Sequence, residues 1–401
     1  MKSASHDTPL RILHINSVLR RGGTDNQCVH LAHGLQNLGQ SVWVGGPDER
    51  QSSNLCRTLG VPLHPIDREG LLKLRFILAA ARFMRQEEIQ VIHAHHGRDY
   101  WRTVLAARFS GVDPKIVLHR HLAKSPGTWL SRQFLLNRTD ALIAPSRCVA
   151  EILAHGAYEP DSPDLERRAR PPMRGDPSRI HVIHGGVDTD RFQPRDASAL
   201  RQEWNLAPDD FAFGVVARYG KPRGKGQREF LAAAASFHSQ FPHARFLMIG
   251  RGDLEDILKQ DIERLGLTGK AWMTPWCQDM ALGMNALDCL VHPQIGTDAF
   301  PTVILEGMAC SKPVIATRLD GALEQVTDGE HGLMVPPEDV PALAEAMRTM
   351  LQDEDMRRRF GRAGRDHVCR DFGLPVLAQR VLALYRTLRN EPAPPGWSAA
   401  E

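Results

Sequence analysis

Residues 288–317 read DCLVHPQIGTDAFPTVILEGMACSKPVIAT. The apolar runs Asp288–Val291 and Pro313–Ala316 predict two strands, and the stretch that begins at Thr302 predicts a helix between them. A strand, a helix and a strand in this order form a βαβ unit with parallel strands. Ligands of such sheets bind outside the carboxyl ends of the strands, so residues between strand and helix are the first candidates for a site.

The same alternation covers most of the 401 residues in two series, which is too long a chain for one ordinary core. The other predicted strands are Arg11–Ile15, Ser41–Val44, Gln90–His93, Lys115–Leu118, Ala141–Ala144 and Ile180–Ile183 in the first series, and Phe211–Ala217, Ala244–Ile249 and Ala271–Met273 in the second. We therefore predict an α/β protein with two Rossmann-like, doubly wound parallel-sheet domains that face an interdomain cleft.

The two series meet near residue 195, which predicts one domain at 1–195 and another at 196–373. The Pro- and charge-rich stretch 157–178 interrupts the first series and predicts a flexible surface insertion. The helical pattern Leu374–Leu388 follows the second domain. It is predicted to cross back to the first domain, and the tail up to residue 401 is predicted to be disordered.

Composition excludes several classes of protein. The first residues lack a long apolar segment, and no run approaches eighteen apolar residues, so neither a signal peptide nor a spanning helix is expected. The seven cysteines are scattered without a CxxC pair, which is typical of reduced thiols in a cytoplasmic protein.

Charge is unevenly distributed along the chain. Residues 1–195 contain 27 Lys and Arg against 19 Asp and Glu, a net charge of +8, whereas the remainder contains 23 against 28. The excess is either a solvated basic face or a surface for an anionic partner, such as a phospholipid layer or a phosphorylated glycolipid. Nucleic acid is not expected, because no recognised binding motif accompanies the charge.

Candidate ligand-binding residues follow two strands of the second series. Arg218 ends the strand FAFGVVAR, and Lys225 opens the next helix after a Gly-rich loop. Two cations beside a helix N-terminus suit a diphosphate, although an ordinary basic loop is the alternative. Asp298 precedes the helix that begins near Thr302, and Glu306 lies in its first turns. The two carboxylates can therefore bind hydroxyls at opposite ends of one ligand.

The first series offers weaker candidates. Gly22-Gly23-Thr24 follows the first strand, and Thr24 with Gln27 fits a capping box at an anion-binding helix N-terminus. A purely steric turn explains the glycines equally well. Histidines are dense in IHAHHGRD (92–99) and VLHRHLAKS (117–125). We predict no metal there, because no helical i,i+4 pair or nearby cysteine accompanies them, and a structural histidine is the alternative for each.

Together these motifs resemble the retaining GT-B glycosyltransferases of family 4. The resemblance covers roughly residues 10–390. It runs through GGT (22–24), VIHGGVD (182–188), VVARYGKPRGKG (215–226), DAFPTVILEGMACSKPVIAT (298–317) and HGLMVPPEDVPALAEAM (331–347). Two departures stand out, since the family's first acid is usually Glu where this chain has Asp298, and Gly185 replaces the Asn of the family's N-G-V-D.

The resemblance implies a set of site residues. Those on the donor side are Gly22, Gly23, Arg218, Lys225, Asp298, Phe300, Pro301, Thr302 and Glu306, those on the acceptor side are His93, His95, Arg98 and Lys124, and the catalytic ones are His121, Arg218, Lys225 and Asp298. In relatives the Arg and Lys bind the donor diphosphate, the first acid binds the sugar, and the second binds the nucleotide ribose. The matching His faces the reacting sugar.

The activity implied is that of a retaining, hexosyltransferase-like enzyme that uses no metal or other cofactor. It moves a sugar from a nucleoside-diphosphate sugar to a glycolipid or glycan acceptor in cell-envelope synthesis, including that of lipopolysaccharide. The expected location is the cytoplasm, with peripheral association at the inner face of the cytoplasmic membrane. A sugar-nucleotide epimerase of the same architecture and a non-catalytic sugar-nucleotide-binding scaffold are the alternatives.

Overall fold

The computed structural model describes residues 8–19, 23–48, 50–66, 73–159, 169–220, 224–275 and 277–392, without the side chains of 23–26, 50–53 and 73. The chain forms two compact units. Unit 1 comprises residues 1–162, 167–186 and 374–401, and unit 2 comprises residues 163–166 and 187–373.

Unit 1 is built on a sheet of seven parallel strands. The strands are β1 (Arg11–Ile15), β2 (Ser41–Gly46), β3 (Leu63–Pro65), β4 (Val91–Ala94), β5 (Lys115–His119), β6 (Ala141–Ala144) and β9 (Ile180–Val182), while β7 (Ala157–Tyr158) and β8 (Ala169–Arg170) form a separate antiparallel pair. The sheet order is β3-β2-β1-β4-β5-β6-β9. The order reverses at the β1/β4 junction, where a doubly wound sheet opens a crevice for ligands.

The helices of unit 1 cover a core of apolar strand residues. They are α1 (Gly23–Asn37), α2 (Arg50–Thr58), α3 (Lys73–Gln86), α4 (Tyr100–Ser110), α5 (Trp129–Phe134), α6 (Arg147–His155) and α14 (Leu374–Leu388). Strands buried on both faces read as continuous apolar runs, as Ala141–Ala144 does. The last helix, α14, packs on α1 so closely that a Cβ on Gly34 would lie 2.9 Å from the Cβ of Ala378.

Unit 2 is built on a sheet of six parallel strands. The strands are β10 (Phe211–Val216), β11 (Ala244–Ile249), β12 (Ala271–Met273), β13 (Cys289–His292), β14 (Val314–Thr317) and β15 (Gly332–Val335), in the order β12-β11-β10-β13-β14-β15. The helices are α7 (Ser198–Glu203), α8 (Gln227–Ala235), α9 (Glu255–Arg264), α10 (Met280–Asn285), α11 (Thr302–Ala309), α12 (Val340–Gln352) and α13 (Glu354–Asp371). The strand order reverses at the β10/β13 junction, so the carboxyl ends of these two strands flank the crevice of this sheet.

The boundary between the units differs from the sequence-based one at residue 195. Residues 187–195 belong to unit 2, because Val187 donates a backbone hydrogen bond to Phe372 and Phe192 is buried in the core of that unit. Arg195 is held there by a hydrogen bond from its N–H to the side chain of Asn285. Residues 160–168 of the predicted insertion and residues 393–401 of the predicted disordered tail lie outside the described residues.

The two parallel sheets confirm the fold class expected from the sequence. Each short apolar run that was predicted to be a strand lies in one of the two sheets. Within the described ranges, no helix is both long and apolar enough to span a membrane.

Candidate donor and acceptor sites

The loops after β10 and β13 meet at the crevice of the unit 2 sheet. Gly226 caps the N-terminus of α8 with a φ of 85°, and a Cβ there would lie 1.8 Å from the carbonyl oxygen of Pro293. Only glycine tolerates both the positive φ and this close approach. The loop after β10 therefore lies against the loop after β13, and Lys225 is placed beside the residues that follow β13.

Lys225 and Asp298 form an ion pair. The Nζ of Lys225 lies 2.9 Å from Oδ2 of Asp298, and the two side chains are 36% and 21% exposed, so a ligand can reach both. Gln227 accepts the backbone N–H of Lys225, and Asp320 accepts that of Asp298. The structure thus brings together two residues that lie 73 positions apart in the sequence.

Asp320 and His292 lie next to the candidate residue Asp298 and were missed by sequence reasoning. Asp320 follows β14, is buried, and has a positive φ of 44°. Its carboxylate accepts a hydrogen bond from the backbone N–H of Asp298. His292 ends β13 with its Nε2 4.0 Å from Oδ2 of Asp298. Burial lowers the pKa of His292 to about 4, since the nearby Asp298 only partly opposes it. His292 is therefore neutral at physiological pH, and Lys225 is the charged partner of Asp298.

Arg218 precedes Lys225 by seven residues in the sequence, but it takes no part in the ion pair between Lys225 and Asp298. Its side chain is exposed, and within the described residues the guanidinium has neither a hydrogen bond nor an ion pair. The backbone carbonyl of Arg218 lies 3.5 Å from Nε2 of the buried Gln227. An exposed guanidinium of this kind is accessible to an incoming anion.

The N-terminus of α11 supplies backbone donors. The helix starts at Thr302 after Pro301, and no side chain caps it. Uncapped N–H groups at a helix start favour an anion or a polar ligand group. The preceding segment is fixed, because Phe300 packs on Phe372 with ring centroids 5.7 Å apart and Gln325 donates to the carbonyl of Pro301.

Glu306 differs from Asp298 in its surroundings. It is half-buried on α11, and among the described residues its carboxylate has no hydrogen-bond partner. Burial raises the pKa of Glu306 to about 7, against the opposing effect of Arg191. A carboxylate with unfilled acceptor sites can bind a pair of hydroxyls. The neighbours Ile304, Met308 and Ala309 point into the core, as their spacing predicts.

The predicted residues of unit 1 fall into two groups. His93 and His95 are buried, and Nδ1 of His93 lies 2.5 Å from the hydroxyl of Tyr385 on α14. Arg98 is exposed, whereas His121 and Lys124 are half-buried. Arg98 and Lys124 are therefore more accessible to a ligand than the two buried histidines. Gly22 lies outside the described residues, and Gly23 begins α1.

Comparisons with known proteins match each unit to a glycosyltransferase domain. The family model of group 1 glycosyl transferases matches residues 196–367, and that of glycosyltransferase family 4 matches residues 21–162. These ranges lie mainly in unit 2 and unit 1, respectively.

The phosphatidyl-myo-inositol mannosyltransferase of Mycobacterium leprae is 32% identical over 43% of this chain and 46% of its own length. The chain thus spans about half of that relative. The protein of the same name from Mycolicibacterium smegmatis is 29% identical over 92% of this chain and 90% of its own.

A solved structure shows the same fold over nearly the whole chain. The crystal structure of Anabaena HepE in complex with UDP aligns with 95% of this chain and 100% of its own at a TM-score of 0.78, with 21% identity. Together with the two family models, these similarities support a glycosyltransferase of the group 1 type with the GT-B fold.

Proposed function

We propose that this protein transfers a sugar from a nucleoside-diphosphate sugar to an acceptor hydroxyl with retention of configuration. The ion pair between Lys225 and Asp298 is the observation that carries the proposal. A cation suits a phosphate, and a carboxylate suits sugar hydroxyls. In a nucleoside-diphosphate sugar, the sugar is bonded directly to the diphosphate. One such ligand would therefore present its phosphate to Lys225 and its sugar hydroxyls to Asp298. HepE, which shares the fold, was crystallised with UDP and with UDP-glucose.

In the proposed reaction, the bond between the anomeric carbon and the β-phosphate oxygen breaks, and a bond to the acceptor oxygen forms on the same face. The acceptor proton passes to the leaving phosphate oxygen, so no side-chain base is needed. Arg218, Lys225 and the N–H groups at the start of α11 stabilise the charge on the departing diphosphate. Glu306 binds the ribose, and Asp298 positions the sugar.

We further assign the acceptor side to unit 1. His121 would face the reacting sugar, and the exposed Arg98 and half-buried Lys124 would contact the acceptor. Gly22 and Gly23 would approach the donor with their backbone, as the sequence motif predicts. His93 and His95 support this surface from beneath, because both are buried.

The proposed acceptor is an anionic lipid, bound at the surface of a membrane. Unit 1 carries 28 Lys and Arg against 17 Asp and Glu, a net charge of +11. Its helices α3 and α4 also expose apolar side chains in pairs one helical turn apart. These are Leu74 and Leu78 on α3 and Leu105 and Phe109 on α4. The mycobacterial relatives act on phosphatidylinositol, as their name states. A role in envelope glycan synthesis, such as that of lipopolysaccharide, fits this surface.

Binding of unit 1 to anionic vesicles is expected to be strong at low salt and weak at high salt. Each basic residue near an anionic leaflet contributes roughly 1 kcal/mol, and salt screens that attraction. Co-sedimentation with phosphatidylinositol-containing vesicles at 50 mM and 500 mM salt measures it. Phe109→Ser should reduce the pelleted fraction, whereas Ile257→Ser, at an exposed apolar residue of unit 2, should not. If the wild type did not bind vesicles at low salt, the basic residues of unit 1 would serve only to solvate its surface.

Donor chemistry is expected to need no divalent cation, because Arg218 and Lys225 supply the positive charge at the diphosphate. Turnover should therefore continue in the presence of EDTA and should not rise when Mg²⁺ is added. Initial rates with and without each reagent check this. Loss of activity in EDTA that Mg²⁺ or Mn²⁺ restores would contradict it.

Donor affinity is expected to increase about tenfold between pH 6 and pH 8 if Glu306 binds the ribose, because a group with a pKa near 7 ionises over this interval. The ionised carboxylate accepts stronger hydrogen bonds from hydroxyls. A nucleoside-diphosphate sugar has no phosphate group that titrates in this range, and His292 stays neutral. Titration calorimetry at both pH values should show the change for the wild type and none for Glu306→Gln. An unchanged pH dependence in that variant would assign the titration to another group.

A screen of nucleotide sugars by thermal unfolding tests the proposal as a whole. A ligand present at about 100 times its Kd adds about 2.7 kcal/mol to the free energy of unfolding. We expect one nucleoside-diphosphate sugar to raise the Tm of the wild type and to raise that of Lys225→Ala much less. No shift with any nucleotide sugar would contradict the donor site.

A further inference from the structure

Five histidines of unit 1 lie together at the carboxyl ends of three adjacent strands. They are His14 on β1, His93 and His95 at the end of β4, and His119 and His121 at the end of β5, and we call them the histidine cluster. His14, His93 and His119 are fully buried, and His95 is 2% exposed. The hydrogen-bond partners of the ring nitrogens in so buried a cluster therefore need to be identified.

Three members of the cluster approach one another as a triangle. The ring centroids of His93 and His95 lie 4.2 Å apart, and each lies 5.5 Å from that of His119. One nitrogen from each of these three rings lies within 4.8 Å of the other two. A Zn²⁺ ion with Zn–N bonds of about 2.0–2.1 Å holds its nitrogens roughly 3.4 Å apart, so small ring rotations would close the triangle.

Two of these rings use one nitrogen each in a hydrogen bond. Nδ1 of His93 contacts the Tyr385 hydroxyl at 2.5 Å, and Nε2 of His95 contacts Nδ1 of His14 at 2.8 Å. With the proton on each of these bonded nitrogens of His93 and His95, the other nitrogen carries a lone pair. Metal-binding histidines are held in this way by an outer partner.

The remaining nitrogens are buried without a partner. Among the described residues, Nε2 of His93, Nδ1 of His95 and both ring nitrogens of His119 accept and donate no hydrogen bond. Each unsatisfied buried polar group carries a free-energy cost, and native proteins rarely collect several in one place. An ion bound to three of these nitrogens would remove most of that cost.

We propose that His93, His95 and His119 form a binding site for one Zn²⁺-like transition-metal ion. Three neutral imidazoles suit Zn²⁺ and its first-row neighbours, whereas Mg²⁺ and Ca²⁺ require oxygen ligands. The proposed metal ligands all belong to unit 1, whereas the cations proposed for the donor diphosphate belong to unit 2. The inference therefore does not depend on the proposed transferase activity.

The ion would fix the neighbouring His121. The ring of His121 stacks on that of His119 with centroids 4.1 Å apart. Through Tyr385 the ion would also link β1, β4 and β5 to the last helix, α14. A bound metal would thus hold these strands and α14 together, which the sequence-based expectation of a metal-free protein did not include.

Metal titration of the untagged full-length protein tests the site. After removal of metal with a chelator, the wild type should bind one Co²⁺ per chain with the visible absorption of a tetrahedral site, and Zn²⁺ should displace it. His95→Gln and His119→Gln should weaken binding about a hundredfold or more, and Tyr385→Phe about tenfold. His155→Gln, at a histidine whose side chain is 70% exposed, is the matched control and should bind as the wild type does.

Two results would overturn the proposal. The first is a folded wild-type chain that binds neither Co²⁺ nor Zn²⁺ at micromolar concentration, a result that needs no variant to fold. The second concerns Cys28, which with His14 and His95 forms another group of potential ligands in the described part of the chain. Loss of the ion in Cys28→Ser, with its retention in His119→Gln, would place the metal at that group instead.

Discussion

Replacement of Lys225 by Ala is expected to lower turnover about a hundredfold or more while leaving the fold intact. The loss corresponds to ~3 kcal/mol of charge stabilisation at the departing diphosphate. The fold should persist, because the Lys225–Asp298 pair is partly exposed and such pairs contribute little to stability. Arg218→Ala should behave similarly, since its exposed guanidinium makes no contact within the described residues. Steady-state kinetics and thermal unfolding measure the two effects.

Lys259→Ala provides a matched control for this prediction. Lys259 is also a lysine of unit 2 in a surface ion pair, with Asp256 at 3.7 Å, but it lies on the helix α9 and not on the loops after β10 and β13. It should leave both turnover and Tm unchanged. If a folded Lys225→Ala protein kept wild-type turnover, Lys225 would not contact the diphosphate.

The second prediction distinguishes the roles of Asp298 and Glu306, the two acids of the proposed donor site. Asp298→Asn keeps the shape of the side chain but removes the charge that strengthens a hydrogen bond to a sugar hydroxyl. The damage should appear mainly in kcat, because placement of the sugar carbon matters most in the transition state. Nucleotide affinity should be kept, since the substitution also releases Lys225 from its ion pair.

Glu306→Gln should behave differently and weaken the nucleotide itself. The ribose hydroxyls are bound in the ground state and the transition state alike, so the loss appears in Kd as well as in kcat/KM. Titration calorimetry with the nucleoside diphosphate, together with steady-state kinetics, gives both quantities. Unchanged turnover in Asp298→Asn, with none in Glu306→Gln, would remove Asp298 as a sugar ligand.

Much of the fold could be predicted because the strands are buried on both faces and read as continuous apolar runs. The short strand β3 (Leu63–Pro65) was missed, because three residues that end in Pro carry little periodicity. β15 (Gly332–Val335) was missed for the same reason of length. The unit boundary was wrong by nine residues, since no change in composition marks Val187, and only its packing places it in unit 2.

The candidate residues were predicted singly, and their contacts with one another were not. The sequence carries Lys225 and Asp298 in separate motifs, and only the close contact of Gly226 with Pro293 shows that they meet. Asp320 belongs to no motif, and its role depends on the backbone of a residue 22 positions away. The contact between His93 and Tyr385 could not be predicted either, because the two residues lie 292 positions apart in the sequence.

Nuclear magnetic resonance can follow sugar transfer from a nucleotide sugar bound at Lys225 and Asp298. The donor found by thermal unfolding is incubated with the protein, first alone and then with vesicles that contain phosphatidylinositol. We expect a stable donor in the first sample and, in the second, released nucleoside diphosphate with the sugar joined to the lipid in the donor's anomeric configuration. Isomerisation of the donor without acceptor, or transfer with inverted configuration, would contradict the proposed reaction.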